Sequence, residues 1–133
     1  MGESNGGASL GGLGIVSEPA NRGRDLFDAG QYQASVSAFH EALQRAQDAL
    51  IPDEQESIRS GLVAEAQSGL SGSLMGLGQY RDALTAAEAA LVYYNANPPG
   101  SPRGGWFWAA AMVNKGAALS NLSRNTEAIT AFN

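Results

Sequence analysis

Apolar residues recur along this chain at steps of four and three. The first such stripe is Tyr32, Val36, Phe39, Leu43, Ala46 and Leu50. Pro52 breaks it, and a second follows as Ile58, Leu62, Ala66, Leu70, Leu74 and Leu77. A third runs Tyr80, Leu84, Ala87, Leu91, Tyr94. Each is the single apolar face of an α-helix, and none alternates with the period of two that marks a half-buried strand. The punctuation agrees with the stripes. Ser17 precedes Pro19 as an N-cap precedes a first-turn proline, which predicts a helix over 17–29. Gly30 and Gly78 stand where a left-handed residue would close a helix. Asp53, Glu54 and Glu56 suit the positive N-terminal end of the helix over 53–77. The proline- and glycine-rich segment 97–105 predicts a loop. A fifth helix is expected over 106–122, and a sixth from Asn125 that Asn133 cuts short. The Gly-rich residues 1–16 read as a flexible tail.

The stripes belong to a larger repeat. Gly30-Gln31-Tyr32, Ser35-Val36, Ala38-Phe39 and Ala42-Leu43 return as Gly78-Gln79-Tyr80, Ala83-Leu84, Ala86-Ala87 and Ala90-Leu91. The pattern starts again at Ser123-Arg124-Asn125, Ala128-Ile129 and Ala131-Phe132. Self-similarity at such a period marks stacked supersecondary units rather than one enzyme core. The repeat domain covers 17–133, divided as 17–51, 52–97 and 105–133, with the last repeat truncated. Its job is expected to be holding a partner. Because Ile129 and Phe132 match the core-facing Val36 and Phe39, the chain is expected to continue into a longer array and to be sticky at that end.

The residues that carry the pattern are Gly23, Leu26, Gly30, Tyr32, Phe39, Ala42 and Leu43 in the first repeat. The second has Ser71, Leu74, Gly78, Tyr80, Ala83, Ala90 and Leu91. The third has Gly116, Leu119, Ala128 and Phe132, with Ser123 and Asn125 in place of Gly and Tyr. This set resembles the tetratricopeptide repeat family. The period is longer than that family's usual length of about 34 residues, so the resemblance is to its long-period type. It implies an all-α fold, antiparallel hairpins stacked as a right-handed solenoid of about 2.5–3 repeats. It also implies a concave groove lined by the first helix of each hairpin. On that register the peptide-binding candidates are Arg24, Phe27 and Asp28, then Ser68, Gly72 and Met75, then Val113, Ala117 and Asn121. The family's clamp for C-terminal carboxylates would fall on Ala20, Arg24, Gly69, Ala110 and Asn114, a set that does not reproduce it. The groove is expected to suit a helix or an apolar peptide. The implied function is a non-catalytic protein–protein interaction module, a scaffold element of a longer repeat protein. The alternative is a structural element that self-assembles into homo-oligomers through its open C-terminal end.

Composition narrows the field further. The net charge is −5, and the basic residues are scattered, with Lys115 the one lysine. That balance argues against nucleic acid, whose binding needs a basic face to displace counterions. There is no cysteine and one histidine, His40. Neither a thiolate or His-rich metal site nor a nucleophile–base pair can be assembled from these. No catalytic residue, metal or cofactor is therefore expected, and His40, beside Phe39 and off the stripe, should lie on the surface. No run approaches the roughly 20 apolar residues of a membrane span, and the N-terminus lacks a basic start and apolar signal core, so a cytoplasmic location is expected. Gly69-Leu70-Ser71-Gly72-Ser73 has neither the lysine nor the preceding strand of a phosphate loop. Besides Gly23, glycines lie inside predicted helices at Gly61, Gly69, Gly72, Gly76 and Gly116. Each costs about 1 kcal/mol against alanine, a loss that close packing has to offset. Small residues at Gly23, Ser71 and Gly116 would admit an aromatic from the paired helix. In Trp106-Phe107-Trp108, Trp108 and Met112 are expected to pack near Tyr94, leaving one aromatic for a partner.

Overall fold

A computed structural model of the chain describes the backbone of residues 5–132 and the side chains of 17–124 and 126. It holds five α-helices: α1 (Asn5–Asp28), α2 (Tyr32–Asp48), α3 (Glu56–Gly76), α4 (Tyr80–Ala96) and α5 (Pro102–Phe132). A 3-10 turn, Asp53–Gln55, leads into α3. No strand occurs among the described residues, so the all-α expectation holds. None of their helices is long and apolar enough to cross a membrane.

Two turns set the chain reversal. Gly30 and Gly78 carry φ of 78° and 77°, the left-handed region that glycine enters without steric cost. After α1, the amide of Gly30 donates to the Phe27 carbonyl at 2.9 Å, and that of Gln31 to Leu26 at 2.8 Å. After α3, Gly78 donates to Met75 at 3.0 Å and Gln79 to Leu74 at 2.9 Å. This pair of bonds closes each helix and turns the chain back. The equivalent segment Ser123-Arg124-Asn125 has no glycine, and the helix runs straight through it. Thr126 Oγ1 donates to the Leu122 carbonyl at 3.0 Å, an intrahelical bond across the expected turn. The expected fifth and sixth helices are therefore one helix, and no third hairpin forms among the described residues. The expected core roles of Ile129 and Phe132 concern side chains outside the described residues.

Two other boundaries differ. The backbone of α1 is helical from Asn5, so Ser17 is not its cap, and Pro19 lies inside it. Proline removes one helical hydrogen bond there; the ring is fully buried, and that packing offsets the loss. The flexible tail expected over 1–16 thus coincides with helix from Asn5 onward, while residues 1–4 lie outside the described residues. Helix α5 starts at Pro102 rather than Trp106. Ser101 Oγ accepts the Gly104 amide at 3.1 Å, and Pro102 takes the first position, where its missing N–H has no partner to lose.

The helices pack in chain order, α1 on α2, α2 on α3, α3 on α4 and α4 on α5. In addition α1 touches α3, and α3 touches α5. Among the described residues α2 and α4 make no such contact. The result is one layer of α1, α3 and α5 backed by α2 and α4, with α3 at the centre.

Phe39 fixes the spacing. Its ring is fully buried, held between Gly23 of α1 and Gly69 of α3. A Cβ at Gly23 would stand 2.9 Å from the ring, and one at Gly69 would stand 2.2 Å from it. Tyr32 is seated in the same way, 2.5 Å from where a Gly76 Cβ would be. The helical glycines thus exchange intrinsic stability for aromatic burial. Gly116 breaks the analogy. Nothing lies within 4 Å of its would-be Cβ, because α5 continues past the expected turn instead of folding back over it.

Hydroxyls complete the core. Ser35 Oγ donates to the Gly23 carbonyl at 2.8 Å and shares a 2.6 Å bond with Ser73 Oγ. These groups are buried, so the bonds tie α1, α2 and α3 together. Arg59 reaches back from α3 to the last carbonyls of α2, bonding Ala46 at 2.6 Å and Gln47 and Ala49 at 2.8 Å. The stripe of α2 ends with this cap, and Leu50 beyond it is exposed. Phe107 is the aromatic of its triplet that is fully buried; Trp106 and Trp108 are half-buried, and Met112 is exposed rather than packed near Tyr94. His40 is exposed, as expected.

Phe39→Ala is expected to cost about 3–5 kcal/mol, whereas His40→Ala should stay within about 0.5 kcal/mol, both measured by chemical denaturation. Equal losses would contradict the central place given to Phe39. Two glycine substitutions should move in opposite directions. Gly116→Ala adds a methyl in open space and should stabilise by up to about 1 kcal/mol, the helix-propensity difference. Gly69→Ala makes the same local gain but collides with Phe39, so it should destabilise. A rise in melting temperature for both would show that the Phe39 seat is looser than described.

Candidate functional site

The layer of three helices carries a cavity of about 300 Å³ on its face. Its floor is the small-residue run of α3, with Ser68, Gly69 and Gly72. Because these side chains are absent or short, residues of α1 and α5 face each other across α3. Phe27 comes from α1; Trp106, Ala109, Ala110, Val113 and Asn114 come from α5, at spacings that place them on one helical face. Phe39 closes the cavity from beneath.

Hydrogen bonds hold α5 in register on α3. Ser68 Oγ donates to the Phe107 carbonyl. Ser71 Oγ donates to the Ser68 carbonyl at 2.6 Å and accepts from Asn114 Nδ2 at 3.0 Å. Arg103 adds a two-pronged ion pair to Glu65 of α3, at 3.1 and 3.3 Å, and a 2.5 Å bond to Asn21 Oδ1 of α1. One side chain of α5 therefore reaches both other helices of the layer.

Arg24 stacks on the Trp106 wall without itself lining the cavity. Its guanidinium carbon lies 4.8 Å from the centre of the Trp106 ring and 5.7 Å from that of Phe107, within cation–π range. Its Nε is buried without a hydrogen-bond partner.

The nine groove candidates divide accordingly. Phe27, Ser68, Gly72 and Val113 line the cavity, and Arg24 stacks on its Trp106 wall. Asp28 is exposed and away from it. Met75, Ala117 and Asn121 are half-buried and lie outside its lining; Asn121 Nδ2 is turned onto the Ala117 carbonyl at 2.8 Å. Three lining residues outside that set, Gly69, Ala110 and Asn114, had stood out only as positions where a carboxylate clamp is missing. Phe39 had been assigned to the core, where it also belongs. Trp106 was marked by the aromatic triplet, although nothing in the triplet says which ring faces out.

A larger opening of about 550 Å³ lies beside the α4–α5 loop, with Ile58, Glu65, Tyr93, Tyr94 and Asn97 among its walls. The Tyr94 hydroxyl is buried there without a partner. Burial, with help from the Glu65 charge, pushes it well above the usual phenol range. Glu65 is already engaged by Arg103, which leaves this opening without a free charge to organise a ligand. Among the described residues no group of three or more His, Cys, Asp or Glu is placed to hold a metal ion.

No curated protein and no solved structure matches the chain. Residues 19–133 match a family described as Domain of Unknown Function (DUF3856), a span that takes in α2 to α5 whole and the end of α1 from Pro19. The five-helix stack and its three-helix cavity therefore belong to a member of the DUF3856 family.

Proposed function

We propose that this chain is a helical repeat module of tetratricopeptide type that holds a peptide or helix of a protein partner on the face of α1, α3 and α5. The observation that carries this reading is the cavity itself. Three helices of one layer present an apolar hollow, with Phe27 and Trp106 as walls and glycines as floor. Aromatic walls around a pre-formed hollow are what an interaction hot spot requires. The layering supports the reading. Helix α3 touches both α1 and α5 while α2 and α4 stay apart, as happens when a stack of hairpins curves with its first helices on the inside. The two Gly-closed turns and the aromatic seats of Phe39 and Tyr32 fit the same repeat logic, in which each unit buries its face against its neighbours. No step of bond making is assigned to the site, and the module works by binding alone.

A second reading has its own observation. On α5, Met112 and Leu119 are 49% and 47% exposed, and Gly116 between them faces open space. This is the face that the expected sixth helix would have covered. It suits a second copy of the chain, giving a self-assembled homo-oligomer.

Val113 is two-thirds exposed yet lines the cavity, so Val113→Glu should unsettle the fold little and block the face. Affinity capture followed by mass spectrometry should lose the partner with Val113→Glu and keep it with Thr85→Glu on exposed α4. The opposite pattern would move the site to the outer layer. For the second reading, sedimentation velocity should show an oligomer that Met112→Glu with Leu119→Glu dissolves; a monomer at all concentrations would dismiss it.

A further inference from the structure

Arg24 gives the three-helix cavity a chemical preference. Arg22, Arg45, Arg59 and Arg103 are also partly buried, and each forms an ion pair with a glutamate. Among the described residues Arg24 has no such partner. Asp25 and Asp28 of the same helix are exposed and make no ion pair with it. A cation taken partly out of water without an opposite charge is costly, and stacking on Trp106 recovers only part of that cost. The guanidinium is a planar fork matched to a carboxylate. Arg24 is not itself a lining residue, but it stacks on Trp106, which with Phe27, Ala110 and Val113 walls the hollow. A hollow of about 300 Å³ is at the small end of sites for single small molecules, which are apolar with a few polar groups that fix orientation.

We propose that this cavity binds a small carboxylic acid with an apolar body, an aryl or short-chain alkyl carboxylate. The body lies between Phe27 and Trp106 over Gly69 and Gly72, and the carboxylate pairs with Arg24. The site goes beyond the partner-binding reading, since it needs no peptide and lies within one part of the face. The clamp for peptide C-termini does not account for it, because Ala20, Gly69 and Ala110 supply no donors where that clamp needs them.

The chain's two tryptophans are Trp106 and Trp108, so emission reports on the cavity wall. Fluorescence and calorimetric titrations would compare phenylbutyrate, its uncharged analogue phenylbutyramide, acetate, and the blocked peptide acetyl-Ala-Phe-Glu-Ala-amide. Phenylbutyrate should bind saturably and about tenfold more tightly than the amide, the scale of one charge-assisted contact. Acetate should not bind, and the peptide should bind more weakly than the free acid. Arg24→Gln should bring acid and amide to the same affinity, and Ala110→Phe should abolish both, with helicity checked by circular dichroism. Equal binding of acid and amide overturns the proposal, as does undiminished binding to Arg24→Gln or no saturable binding at all. A peptide that outcompetes the free acid overturns it too and returns the cavity to a protein partner. Should Arg24→Gln lose its helical signal, the acid–amide comparison on the unaltered chain decides. Partner capture that survives Ala110→Phe while phenylbutyrate binding is lost would leave the partner reading standing apart from this one.

Discussion

The rest of the structure depends on the seat of Phe39 between two glycines. With the ring held at 2.9 Å from the would-be Cβ of Gly23 and 2.2 Å from that of Gly69, α2 can approach both α1 and α3 closely. Any side chain at Gly69 would drive the layers apart. The same glycine is part of the cavity floor. One residue choice therefore does two things. It lets an aromatic knob lock the hairpin, and it leaves a hollow that the same ring closes from beneath. The glycines of α3 cost helix propensity, and interior packing at crystal-like density is what makes that trade favourable.

Much of the fold was legible because its signals are local. The steps of four and three gave the helices, and Gly30 and Gly78 marked the turns because an L side chain is strained where they stand. The pairing of Gly23 with an aromatic from the next helix could also be read from the repeat. What failed was the third hairpin. The repeat placed Ser123-Arg124-Asn125 where a turn should be, but repetition is an analogy, and the turn needs a residue that tolerates positive φ. Without one, continuing α5 satisfies every backbone group at no conformational cost. The start of α1 failed for the converse reason, since Pro19 is a helix starter by statistics and yet can sit inside a helix when its ring is buried.

The candidate site was legible in part. The register found Phe27, Ser68, Gly72 and Val113, because helical periodicity and the family resemblance together place them on one face. It set Gly69, Ala110 and Asn114 in the groove only as places where a carboxylate clamp is missing, and it did not single out Trp106 as a lining residue. Whether a position lines a hollow depends on how closely two helices that are not neighbours in sequence, α1 and α5, approach across α3. Nor could the sequence show which arginines are paired. Arg24 and Arg22 are neighbours in the chain, yet Arg22 bonds Glu18 and Glu41, while Arg24 lies over an indole ring.

On the proposed reading, the layer of α1, α3 and α5 is the working face and the layer of α2 and α4 is scaffold. Amide hydrogen exchange of the chain alone and bound to its captured partner tests this most directly. The account predicts added protection in the segments of α1, α3 and α5 around Phe27, Gly72 and Val113, with α2 and α4 unchanged. Protection confined to α2 and α4 would contradict it.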